Sequence, residues 1–180
     1  MTNEQHKELL ALARTAIGNK LGLCEIHQVD DADFDRKQGL FVTLHKHDKL
    51  RGCIGYIKGY KSIKDSIAEM AIAAAFRDPR FIKVSVDEYE ELELEISVLS
   101  EMCLVEDVSQ IEIGRDGLYL EHPRGSGLLL PQVPVEWGWD VPTFLDQICH
   151  KAGLWDGAYK DMGAKLYRFE AEIFGEQDSF

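Results

Sequence analysis

The sequence predicts an α+β fold, a mostly antiparallel sheet with flanking helices. Three observations carry that prediction. Apolar spacing switches between the helical and the strand period along the chain, short turn signals separate the strand-like segments, and helices and strands follow in irregular order rather than as repeated strand–helix–strand units. With 180 residues, 45% of them hydrophobic and 29% charged, the chain carries enough apolar material for one core or two closely packed ones.

Thr2 and Gln5 have capping-box spacing, and Leu9, Ala13, Ala16, Ile17 and Leu21 follow on one helical face, with Gly22 as the stop. Residues 24–38 contain the acidic run DDADFD and read as a solvated loop. Gly39 to Leu44 reads as a strand, and HKHDK turns the chain into a second strand over 50–57, which makes a hairpin. Ser62 caps a second helix whose apolar stripe is Ile63, Ile67, Met70, Ala71 and Ala74. FRDPRF ends it, because proline cannot continue the hydrogen-bond ladder and restrains the residue before it.

LELEISV, residues 92–98, alternates strictly and has one apolar and one acidic face. Ile111 to Leu120 reads as a hairpin around Asp116-Gly117, a dipeptide suited to a primed turn. The apolar run LLLPQV follows, and EWGWD interrupts regular structure; core or lid packing accounts for Trp137 and Trp139 better than a partner-binding patch does. Asp140 caps a third helix, with Val141, Phe144, Leu145, Ile148 and Ala152 inward and Gly153 as its stop. Tyr167, Phe169, Ala171 and Ile173 make a final one-sided strand.

The segment richest in chemistry is Leu50-Arg51-Gly52-Cys53-Ile54-Gly55. Glycine weakens a strand and marks close approach of a ligand or another backbone. Strand alternation places Arg51 and Cys53 on one face and Leu50 and Ile54 on the other. A cation beside a thiol favours the thiolate, so Cys53 is a candidate nucleophile; the alternative is a small buried residue. Arg51, Arg77 and Arg80 form a second candidate set, able to gather an anion bidentately or to pair with Asp78, Glu69 and the acidic strand. Asp78-Pro79 reads as a turn device. His45, His47, His122 and His150 are available bases, and the sequence selects none of them.

Other classes are disfavoured. Twenty Lys and Arg against 32 Asp and Glu give a net charge of −12, which repels phosphate backbones and anionic membranes, so nucleic acid is an unfavourable partner. No stretch approaches a membrane span, and the first residues lack the basic and apolar regions of a signal peptide. Cys24, Cys53, Cys103 and Cys149 lie far apart with no CxxC pair, which reads as reduced thiols in the cytoplasm. His45-x-His47 reads as a polar hairpin tip. The Asp31, Asp33, Asp35 spacing fails as a calcium loop because Arg36 and Val42 occupy the glycine and closing glutamate positions. The residues point to no metal and no cofactor, and the oligomeric state stays open.

LRGCIG, preceded by GLFVTL and followed in order by AAFRDPRF, EISVLS, GRDGLYL, LLLPQV, FLDQICHKAGL and LYRFEAEIF, resembles the AMMECR-domain family, which includes AmmeMemoRadiSam system protein A-like members. The likeness runs from about Leu40 to Phe174; Tyr56, where smaller residues are common, departs from it. It implies a single domain over 1–180, divided into a larger and a smaller subdomain that meet near LRGCIG, and an association by gene neighbourhood with Memo-like and radical SAM proteins. It supplies no reaction, so whether the chain is an enzyme stays open. The expectation is an accessory or ligand-binding component acting with those partners through a cleft floored by LRGCIG, with Arg51, Gly52, Gly55, Asp78 and Arg80 meeting a small anionic ligand. The alternative is a small enzyme in which Cys53 is a reactive thiol and Arg51 binds an anionic substrate.

Overall fold

Thr2 opens the chain as its spacing predicts: its hydroxyl accepts from the Gln5 amide at 3.2 Å, and Gln5 Oε1 accepts from the Thr2 amide at 2.9 Å. From that cap the computed structural model, which describes residues 1–178, builds four α-helices and eight strands. The helices are α1 (Asn3–Lys20), α2 (Ile63–Phe76), α3 (Gln132–Glu136) and α4 (Val141–Lys151). The strands are β1 (Leu40–Lys46), β2 (Lys49–Tyr56), β3 (Leu92–Leu99), β4 (Cys103–Leu104), β5 (Gly117–His122), β6 (Gly125–Leu129), β7 (Lys165–Phe169) and β8 (Ala171–Gly175). They sort into two compact units, one of residues 1–98 with the chain from 172 onward, the other of residues 99–171.

In the first unit the sheet order is β2-β1-β3-β8. The β1–β2 turn uses His47 and Asp48 at φ 51 and 60, the left-handed pair of a primed two-residue turn, so the predicted polar hairpin tip is where the chain reverses. Leu40, Val42 and Leu44 alternate onto the face that packs with Leu94, Ile96, Ile17 and Ile67 of the core. Ser62 accepts from the Asp65 amide and starts α2. The loop at 24–38 is less solvated than its acidity implies: Asp31 caps a 3-10 turn over Ala32–Asp35 that buries Phe34 completely.

The glycines of β2 answer to backbone neighbours. A Cβ on Gly52 would sit 2.3 Å from the Ala74 carbonyl oxygen of α2, and one on Gly55 would meet the Phe41 ring at 2.5 Å. Helix and sheet approach so closely that a methyl group has no room. The close approach signalled by sequence is therefore to protein backbone and ring.

In the second unit the sheet order is β4-β7-β5-β6. Asp140 accepts from the Thr143 amide and caps α4, which buries Phe144, Leu145, Ile148 and Cys149. That helix is the fourth rather than the third, because Gln132–Glu136 forms a helical turn of its own. The predicted hairpin around Asp116-Gly117 is not there. The hairpin is β5–β6, turning at Pro123-Arg124, with Leu118 opposite Leu129 and His122 opposite Gly125. Asp116 is fully buried and accepts from the Glu112 amide and from Arg115, which bends the chain ahead of β5. Gly117 is small because Phe169 lies against it: an added Cβ would be 2.4 Å from that ring.

The expected final strand is likewise two strands in two sheets. Ser100 brackets Glu170, donating its amide to the Glu170 carbonyl at 2.8 Å and accepting the Glu170 amide on its hydroxyl at 2.9 Å. The alternation breaks there, with Phe169 and Phe174 buried and Ile173 36% exposed.

Gly52→Ala tests the β2–α2 approach. Overpacking of this kind costs about 1–3 kcal/mol, so urea unfolding should show a lowered midpoint with an unchanged slope.

Candidate functional site

Strand β2 is at the edge of its sheet, with β1 on one side and, among the described residues, no strand on the other. An edge leaves backbone donors and acceptors open. At Cys53 both are taken by the loop that follows α2. Asp78 Oδ2 accepts the Cys53 amide at 3.0 Å, and Arg80 Nη2 donates to the Cys53 carbonyl at 3.3 Å. The two side chains are themselves locked together: Arg80 Nε to Asp78 Oδ1 is 3.0 Å, Nη2 to Oδ2 is 2.7 Å, and the Arg80 amide reaches Oδ1 at 3.1 Å. A bidentate ion pair thus stands where a neighbouring strand would pair. Asp78 is only 5% exposed. Its hydrogen bonds from Arg80, helped by the Cys53 and Arg80 amides and opposed by burial, hold its pKa down at about 2.

Because the Cys53 amide and carbonyl point outward, Cys53 and Thr43 form a non-hydrogen-bonded pair of the hairpin, where side chains stand closer. Thr43 Oγ1 donates to Cys53 Sγ at 3.3 Å, and Glu95 of β3 is opposite Thr43 in the same rung. Burial pushes the Cys53 thiol up from its ordinary value; the Thr43 hydrogen bond and Arg80 pull down, Asp78 and Glu95 push up, and the net shift is upward. Burial thus works against the thiolate.

The expected pairing of Arg51 with this thiol is corrected. Register slips between Leu44 opposite Gly52 and His45 opposite Leu50, so Arg51 is the extra residue of a β-bulge. Strict alternation fails there, and Leu50 is 42% exposed instead of sharing the packed face of Ile54. Arg51 donates through Nε and Nη2 to Glu88 at 3.1 and 3.0 Å. That fork, chiefly, holds the Glu88 carboxyl at about 2. Arg51 Nη1 is buried and has no hydrogen-bond partner among the described residues. Both guanidinium groups lie over the Phe81 ring, Arg51 Cζ 6.0 Å and Arg80 Cζ 5.4 Å from its centroid.

The structure thus joins Cys53, Asp78 and Arg80 directly, and Arg51 shares the Phe81 ring with Arg80. Gly52 lies against the Ala74 carbonyl and Gly55 against the Phe41 ring. Arg77 lines a cavity of about 570 Å³ on α2 with Lys61, Asp65, Ala68, Glu69 and Ile72, and Tyr56 donates to Glu69 at 3.1 Å. Among the described residues no imidazole is hydrogen-bonded to Cys53: His47 pairs with Glu91, His122 with Asp161 and His150 with Asp156. His45 lines an acid-rich cavity with Glu93 and Glu95. All four cysteines are free, Cys24 and Cys103 exposed and Cys149 buried. Sequence reasoning missed Thr43, Phe81, Glu88 and Glu95. Hairpin register made Thr43 findable; Glu88, in an irregular acidic stretch, carried no signal.

The AMMECR1 family model matches residues 10–174. A protein of Methanothermobacter thermautotrophicus is 42% identical, covering 98% of this chain and 96% of its own length. Protein TK0174 of Thermococcus kodakarensis is 48% identical over 78% of this chain and 74% of its own. The crystal structure of PH0010 from Pyrococcus horikoshii has a TM-score of 0.91 at 40% identity, covering 98% of this chain and 94% of that one. Among the described residues no helix is long and apolar enough to cross a membrane.

Asp78 sets a pH test. Its folded pKa of about 2 is below the ordinary 3.8, so its stabilisation is complete above pH 4 and drains away as pH falls toward 2. Asp78→Asn should cost about 2 kcal/mol at pH 7. In urea melts the gap to the natural chain should close between pH 4 and pH 2; a gap that is constant with pH would contradict the ion-pair assignment.

Proposed function

The chain belongs to the AMMECR1 family, and from that premise we propose that it is a cytoplasmic accessory or ligand-binding component that works with Memo-like and radical SAM partners through a cleft floored by residues 50–55. One observation carries the reading: the Asp78–Arg80 pair holds the backbone of Cys53 and leaves its thiol to Thr43. Covalent chemistry needs a thiolate or a base within hydrogen-bond reach. Here burial disfavours the thiolate, and the nearest cation is already neutralised by a carboxylate. What the site offers instead is a rigid surface. Arg80, half exposed, commits Nε and Nη2 inward and keeps Nη1 for an anionic group of a ligand or partner.

The second reading, a small enzyme with Cys53 as reactive thiol, is favoured by Thr43 and Arg80, which both ease ionisation. Iodoacetamide labelling followed by peptide mass mapping separates the two. Under the accessory reading Cys53 labels at pH 7 no faster than the exposed Cys24 and Cys103, and its rate climbs only above the ordinary thiol range. Faster labelling of Cys53 at neutral pH transfers support to the enzyme. The partner half is tested by tagged pull-down from the native host. Memo-like or radical SAM proteins should co-purify, with Arg80→Ala weakening retention about fivefold; recovery of the chain alone overturns it.

A further inference from the structure

We propose that the Trp137–Trp139 pair is a docking platform for a cationic, arginine-bearing segment of a partner protein. The sequence placed both rings in a core or under a lid, and the structure separates them. Trp139 packs on the second unit's core, its ring 6.5 Å from that of Phe144. Trp137 stacks on Trp139 at 6.2 Å and 18° between planes, yet is 71% exposed. Gly138, at φ 65, reverses the chain between them. The Trp137 amide donates to Val133 at 3.2 Å and the Trp139 amide to Pro134 at 2.8 Å, so the backbone under both rings is fixed. Val135, close in sequence, is 57% exposed.

This is a prebuilt aromatic face: one ring rooted in the core, a second stacked on it and open to water. A rigid platform of this kind loses little side-chain entropy on binding. Leaving it bare forgoes the burial that a tryptophan ring normally gains. Charge decides the occupant. Glu136 precedes Trp137 and Asp140 follows Trp139 in the chain; both are exposed, and Asp140 gives one carboxylate oxygen to the α4 cap. Residues 99–171 hold twelve Asp and Glu against six Lys and Arg. Two of those arginines, Arg115 and Arg168, are paired with Asp116, and Arg124 lies over Trp155. A guanidinium over the open Trp137 face, with its donors turned to the flanking carboxylates, satisfies both features. A second copy would bring the same carboxylates against themselves across a twofold axis. An anionic bilayer would meet the same repulsion.

The test is calorimetric titration of the full chain with a synthetic glycine–arginine peptide, its lysine counterpart and its glutamate counterpart. The arginine peptide should bind, ahead of lysine and well ahead of glutamate, and Trp137→Ala should raise its Kd about fivefold. Trp137→Ala should melt at the natural temperature, since the ring is mostly in water; Glu136→Lys, which leaves the rings intact, should also weaken binding and serves if the first variant unfolds. Absence of binding overturns the proposal, as does unchanged affinity in both variants, which is attraction to the acidic surface alone. Self-association or vesicle binding that Trp137→Ala abolishes, without peptide binding, also overturns it.

Discussion

A carboxylate buried against the edge of a sheet organises the first unit. Strand β2 has a neighbour on one side, and Asp78 closes the other by accepting the Cys53 amide while holding the arginine that donates to the Cys53 carbonyl. A buried charge is tolerable only when well supplied with donors. Asp78 has four: the Cys53 and Arg80 amides and two guanidinium N–H groups. The loop after α2 is fixed to the strand by these bonds. Phe81, and through it the stacking of Arg80 and Arg51, take their places from that fixed loop.

The same geometry governs what Cys53 can do. Turning its backbone outward to Asp78 and Arg80 brings its side chain next to Thr43 in the hairpin, where burial outweighs the neighbouring cation. The bulge at Arg51 then diverts the other guanidinium to Glu88. Each of the two arginines is thus paired with a carboxylate, Arg51 with Glu88 and Arg80 with Asp78.

The second unit uses a related device. Asp116, also fully buried, accepts a backbone amide and the guanidinium of the residue beside it, with Arg168 close by. In both units a short-range Asp–Arg pair ties an irregular segment to the regular structure. It also explains why Asp116-Gly117 looks like a hairpin tip in sequence and is instead a bend leading into β5.

Local chemistry was legible where it depends on neighbours in the chain. The Thr2, Ser62 and Asp140 caps, the Gly22 and Gly153 stops, the β1–β2 hairpin and the apolar faces of α1, α2 and β3 all follow from side chains acting within a few residues. The α+β class and the family were legible for the same reason, since several short motifs recur in order. The partners of Arg51, Asp78 and Cys53 were not. A guanidinium meets whichever carboxylate the fold brings to it, and Glu88 is 37 residues from Arg51. Nor does strand periodicity reveal a bulge, an unpaired edge, or the point where one run of residues passes between sheets. Long-range contacts choose those, so the sequence determined the elements and the candidate residues, while tertiary packing decided which groups meet and how deeply the thiol at their centre is buried.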